Sequence, residues 1–145
     1  LLEDAMLAEL SAVLVDAGSG DVSTSLGLTD LAAGTADFGD VLQRAGENLA
    51  EVQWGRLPVL DHRSSRPMTL IEALADIYHV VIVDTGIAGG TSNLPLFTGA
   101  RGTLVLVADA DDGPVAVNNA RREIGALGFA VSRVVTLPST QADVA

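Results

Sequence analysis

The chain has 145 residues, 48% of them hydrophobic, 19% charged and only 3% aromatic. That is enough for one core of Leu, Val, Ile and Ala, and too little charge for a disordered chain. The net charge of −11 disfavours nucleic-acid and anionic-lipid surfaces, the absence of Cys excludes disulfide and thiolate–zinc scaffolds, and no apolar run reaches the roughly 18 residues of a membrane span.

Leu1 to Leu10 has apolar residues at 1, 2, 6, 7 and 10, with Glu3, Asp4 and Glu9 between them, the spacing of a helix. A start at Leu1 rather than Met leads us to expect a fragment of a longer cytosolic protein, since no signal-like segment stands here. Ala12 to Asp16 is a short apolar run ending in an acid, hence a buried strand followed by a loop. Thr29 is expected to cap a short helix from Asp30 to Ala33 closed by Gly34, and Asp37 a second from Phe38 to Arg44. Leu49 to Trp54 alternates like a strand, and Gly55 to Pro67 reads as a loop. Leu70, Ile71, Leu74, Ile77 and Tyr78 share one helical face between 69 and 78. His79 to Asp84 is the clearest strand, β-branched and apolar enough to be covered on both faces. A helical turn within 93–98, a third buried strand at 103–108, a helix from Pro114 to Leu127 and a last strand at 130–137 follow, with a frayed tail at 138–145. Strands alternating with helices imply right-handed crossovers in a mainly parallel sheet with helices on both faces: one doubly wound α/β domain over 1–145.

The chemistry-bearing pattern is a repeated ending. Val13 to Asp16 reads VLVD, and Val81 to Asp84 reads VIVD. Acids at the carboxyl ends of parallel strands face the ligand crevice of such sheets and can hold Mg²⁺ beside a phosphate. Two together point to a metal and nucleotide site, although one such Asp more often caps its own loop. The glycine-rich stretches 18–20 and 86–90 match neither phosphate-loop pattern and read as tight turns. His62 and His79 have no partner spaced for a triad or zinc site. Asp109, Asp111 and Asp112 lack calcium-loop spacing and read as a solvated turn. Trp54 reads as core, and Arg121 with Arg122 as a polar helix face. All eight basic residues are Arg, so no chemistry in this chain can use a lysine.

In order, Val13 to Asp16 (VLVD), Leu28 to Gly34 (LTDLAAG), Phe38 to Arg44 (FGDVLQR) and Tyr78 to Thr85 (YHVVIVDT) resemble the cytoplasmic domain of bacterial tyrosine kinases, the polysaccharide co-polymerases or chain-length determinants. The resemblance covers residues 12–137 and implies the P-loop NTPase-like fold of the MinD and ParA ATPases. It matches Asp16 to the acid of the second Walker-type motif and Asp84 to the Walker B acid. In active members both place Mg·ATP, and Gly18 and Thr85 fall in the same nucleotide site. It also implies sister subunits and membrane-embedded polysaccharide export machinery as partners, at the inner face of the membrane, with membrane contact only through parts of the protein outside this chain and no nucleic acid.

This sequence departs from that pattern. The first Walker motif with its lysine is not in the chain. Gly18 stands where the family carries a second Asp, Ser19 and Gly20 where Arg is common, and Gly86 and Ile87 where two prolines follow the Walker B acid. The tyrosine-rich tail has no counterpart, since the sole Tyr is Tyr78. A kinase needs fixed cations to offset phosphate charge. The expectation is therefore a tyrosine-kinase-like pseudoenzyme of exopolysaccharide or lipopolysaccharide biosynthesis, a regulatory or scaffold module with no cofactor. The alternatives are an active autokinase or ATPase using Mg·ATP, its phosphate loop lying outside this chain, and a ParA/MinD-like ATPase of pilus assembly or partitioning.

Overall fold

In the computed structural model, which describes residues 9–89 and 92–138, the first element is β1 (Ala12–Asp16). It is followed by α1 (Leu28–Ala33), α2 (Phe38–Val41), β2 (Leu42–Gly46), β3 (Leu49–Val52), α3 (Arg66–Ile77), β4 (Val80–Asp84), a 3-10 turn (Leu94–Phe97), β5 (Leu104–Asp109), α4 (Pro114–Ala126) and β6 (Val131–Leu137). The described residues fall into two compact units, one of 9–87 and 92–97, the other of 88–89 and 98–138. Residues 1–8 of the helix expected at 1–10, and most of the tail, 139–145, lie outside the described residues.

The first unit is a four-stranded sheet in the order β2-β3-β1-β4. β1 pairs in parallel with both β3 and β4, and β2 pairs antiparallel with β3. Central β1 is the best covered strand: Ala12, Val13 and Val15 are fully buried. They pack with Leu28, Leu31, Val41, Val52, Leu60, Leu70 and Leu74, all near zero exposure, where each large aliphatic side chain contributes about 1.5–3 kcal/mol by leaving water. The second unit is a β-α-β crossover, β5 and β6 paired in parallel around α4. Among the described residues no helix is long and apolar enough to cross a membrane.

Several boundaries differ from expectation. The helix expected over 38–44 stops at Val41, and Leu42 turns extended (φ −82, ψ 122) to enter β2. The cause is tertiary: Leu42, Gln43 and Arg44 find hairpin partners in Val52, Glu51 and Ala50, which a four-residue helix cannot outweigh. The long helix begins at Arg66 rather than 69, because Pro67 sits in its first turn, where its missing N–H is harmless. Its buried face is thereby Pro67, Leu70 and Leu74, while Ile77 stays 69% exposed. β3 ends at Val52, so buried Trp54 follows the strand and donates Nε1–H to the Leu57 carbonyl at 2.8 Å. Val80 to Val83 are only half-buried, since β4 is the last strand of its sheet, and Val107 on β5 is 57% exposed.

Candidate functional site

Parallel pairing in register sets Val13 beside Val81, Val15 beside Val83, and Asp16 beside Asp84. Both acids therefore leave the carboxyl ends of neighbouring strands, whose axes run about 4.8 Å apart. The structure thus brings together the four residues singled out from the sequence: Asp16, Gly18, Asp84 and Thr85. Asp16 Oδ1 accepts the N–H groups of Gly18 (3.1 Å) and Ser19 (2.9 Å), and its Oδ2 accepts the Ser19 hydroxyl. Asp84 Oδ1 accepts the Gly86 N–H at 2.9 Å. Ala17 N–H donates to the Asp84 carbonyl at 2.8 Å, so the ladder continues one residue past the strand ends. Thr85 contributes its backbone: its carbonyl accepts the Asn93 N–H at 3.2 Å.

The two loops then touch. A Cβ on Gly18 would collide with the backbone N and Cα of Gly86 and stand 2.7 Å from the Thr85 carbonyl carbon. Gly86 itself has φ +87, a left-handed conformation that proline cannot adopt. No side chain fits at 18 while the loop after β4 keeps this course.

This arrangement can be tested against Mg·ATP. Adjacent carboxylates suit a divalent cation. Here, however, Asp16 spends both oxygens on its own loop, and no cluster of three metal-ligating side chains exists among the described residues. The N–H groups of Gly18, Ser19 and Gly86 are turned onto Asp16 and Asp84. Neither acid carries an ion pair among the described residues, and the chain has no lysine. Both carboxylates are thus engaged with their own loops.

The Leu28-Thr29-Asp30-Leu31 segment, which carried much of the resemblance, turns out to be a buried clamp. Asp30 Oδ2 accepts two backbone N–H groups, Gly27 and Arg56, each at 3.0 Å. Its Oδ1 accepts Arg56 Nε–H at 3.1 Å. Thr29 Oγ1 accepts the Leu57 N–H at 3.3 Å. Burial pushes the Asp30 carboxyl up, but the N–H groups of Arg56 and Gly27 and the Arg56 guanidinium outweigh it and hold the group below its ordinary value. Gly55 (φ +111) makes room, since a Cβ there would strike Thr29 Oγ1 and lie 2.7 Å from Asp30 Oδ2. Gly27 is the N-cap of α1, and the Asp30 carboxylate three residues on accepts its N–H, one half of a capping box.

The remaining candidates stand apart from the acid pair. His79 Nδ1 pairs with the Ser11 hydroxyl at 2.9 Å, at the opposite end of the strands. A cleft of about 330 Å³ lies at that same end, between the β2–β3 hairpin, Ser11 and Tyr78, whereas ligand crevices in such sheets open at the carboxyl ends. His62 meets Asn93, a contact that no sequence spacing announced. In the second unit, Asp109 N–H donates to Asp112 Oδ2 at 2.9 Å, an acidic turn closed on itself, and Arg121 and Arg122 are exposed.

No family model matches the chain, and no curated protein sequence does. Solved structures do. The kinase domain of Escherichia coli tyrosine kinase ETK superposes with a TM-score of 0.80 at 20% identity, over 94% of this chain and 60% of that one. The BceF tyrosine kinase domain gives 0.76 at 17% identity, over 91% and 58%. A ParA family ATPase from Chlorobium tepidum TLS gives 0.56 at 16% identity, over 90% and 61%. The chain thus spans about three fifths of each of these three structures. With its mainly parallel sheet and flanking helices, it has the P-loop NTPase-like α/β fold of bacterial tyrosine kinase domains and ParA-type ATPases.

Proposed function

We propose that the chain is a tyrosine-kinase-like cytoplasmic module of an exopolysaccharide or lipopolysaccharide biosynthesis or export protein, serving as a scaffold or regulatory domain without transferring phosphate itself. The observation that carries this reading is the Gly18–Gly86 contact. In the resembled kinases position 18 bears a second acid of the magnesium site. Here backbone fills the space that acid would need. The neighbouring N–H groups satisfy Asp16 and Asp84 instead of a phosphate. A cleft whose identifiable ionic groups are carboxylates repels a triphosphate. On this reading Asp16 and Asp84 are inherited positions whose present work is to close their own loops. Partners are sister copies and the membrane-embedded export machinery at the inner face of the membrane.

Calorimetric titration of Mg·ATP tests it, on this chain and on the full protein from which it comes. The expected result is no saturable heat with either. A micromolar dissociation constant overturns the reading and favours an active autokinase or ATPase whose phosphate loop stands outside this chain.

A further inference from the structure

The parallel strands lie in the order β3-β1-β4, so β1 is followed by β3 on one side and by β4 on the other. The chain changes direction between β1 and β4, which is the switch point where open α/β sheets take their ligands. In this protein the loops after the two strands meet there, Gly18 against Gly86. One side chain spans the junction. Asn93 Nδ2 donates to the Ala17 carbonyl at 2.7 Å, and Asn93 N–H donates to the Thr85 carbonyl at 3.2 Å. A carbonyl only accepts, so the carboxamide orientation is settled and its Oδ1 faces His62 Nε2. His62 Nε2 must then carry the proton and donate. Asn93 therefore ties three chain segments together: the loop after β1, the loop after β4, and the loop before α3.

We propose that Asn93 is a clip that holds the switch-point crevice shut, with His62 as its outer anchor. Opening requires the Asn93–Ala17 bond to break, after which Gly18 and Gly86 can part and the N–H groups of 18, 19 and 86 can turn outward. Asn93 is a positioning residue that sets whether the crevice exists. This stands apart from the loss of phosphotransfer: nucleotide titration decides that reading, and backbone exchange decides this one.

The test is residue-resolved amide hydrogen exchange on the folded chain. Asn93→Ala is expected to speed exchange at Ala17, Gly18 and Gly86 by about tenfold, the equivalent of one net hydrogen bond. Leu28 and Thr29, whose amides bond to the Gln53 and Trp54 carbonyls, should not change. His62→Ala should produce a smaller rise at the same three amides. Should Asn93→Ala not fold, His62→Ala decides alone: a rise confined to those amides supports the clip, and an unchanged or uniform pattern overturns it. A second measurement uses Gly18→Ala, which forces the loops apart. Its lowering of Tm should be smaller in the His62→Ala background than in the wild type, because part of the tie is already lost. Equal losses in both backgrounds, the mark of independent sites, overturn the proposal.

Discussion

Consider Asp30→Ala. The carboxylate is fully buried and accepts from Gly27 N–H, Arg56 N–H and Arg56 Nε–H. Removing it strands the two backbone donors, each costing about 1–3 kcal/mol when left unsatisfied. The guanidinium side chain is 50% exposed and returns to water, so its share is only about 0–1 kcal/mol. The sum is about 2–7 kcal/mol, a large part of an ordinary domain's stability. Asp30→Asn separates the terms. Its single oxygen can keep both backbone bonds while its NH₂ displaces Arg56, so the loss should be about 1 kcal/mol. The pH dependence has a definite sign. Because the folded pKa lies below the ordinary 3.8, the carboxylate's contribution is fully present above that value and is lost as pH falls through the folded value. The gap between wild type and Asp30→Asn should therefore close only below about pH 4. Urea unfolding followed by the fluorescence of Trp54, the sole tryptophan and one buried beside this clamp, measures all of this. A loss under about 1 kcal/mol for Asp30→Ala, or equal losses for the two variants, would refute the reasoning.

Three further outcomes follow from the same structure. Gly55→Ala combines a left-handed backbone (φ +111) with collisions at Thr29 and Asp30, and should cost about 2–4 kcal/mol. Gly20→Ala, at φ +69 in open space, should cost about 1–2 kcal/mol; thermal melts that rank the pair the other way contradict the clamp. Leu31→Ala, at 1% exposure, should lose about 2–5 kcal/mol, whereas Ile77→Ala, at 69%, should stay within about 0.5 kcal/mol; denaturant midpoints compare them directly. Trp54→Phe removes the donor to the Leu57 carbonyl and should lose about 1–2 kcal/mol by circular dichroism, and a neutral result would mean that water replaces that bond.

Much of the site was legible in the residues. Two apolar runs each ending in Asp are a local signal, and parallel pairing made them neighbours in register. The buried Leu70 and Leu74 were likewise present in the spacing, although the expected face ran too far, to Ile77 and Tyr78, and Pro67, expected in the preceding loop, sits in the helix. What the residues hid was work done at long range. Asp30 looked like an ordinary helix-start acid, yet its partner Arg56 lies 26 positions away. Leu42 to Arg44 looked helical, and only the hairpin with β3 made them a strand. Asn93 carried no signal at all, since its partner Ala17 is 76 positions distant.

By itself the amino-acid order determined the fold class, the two strands that end in Asp and the charge, because periodicity and turn chemistry act between residues a few positions apart. Tertiary structure alone decided that the two loops meet. Whether Gly18 meets solvent, a ligand or Gly86 depends on where a loop some 68 positions away in the sequence comes to rest. That is a matter of excluded volume between distant backbones, on which local spacing has no hold.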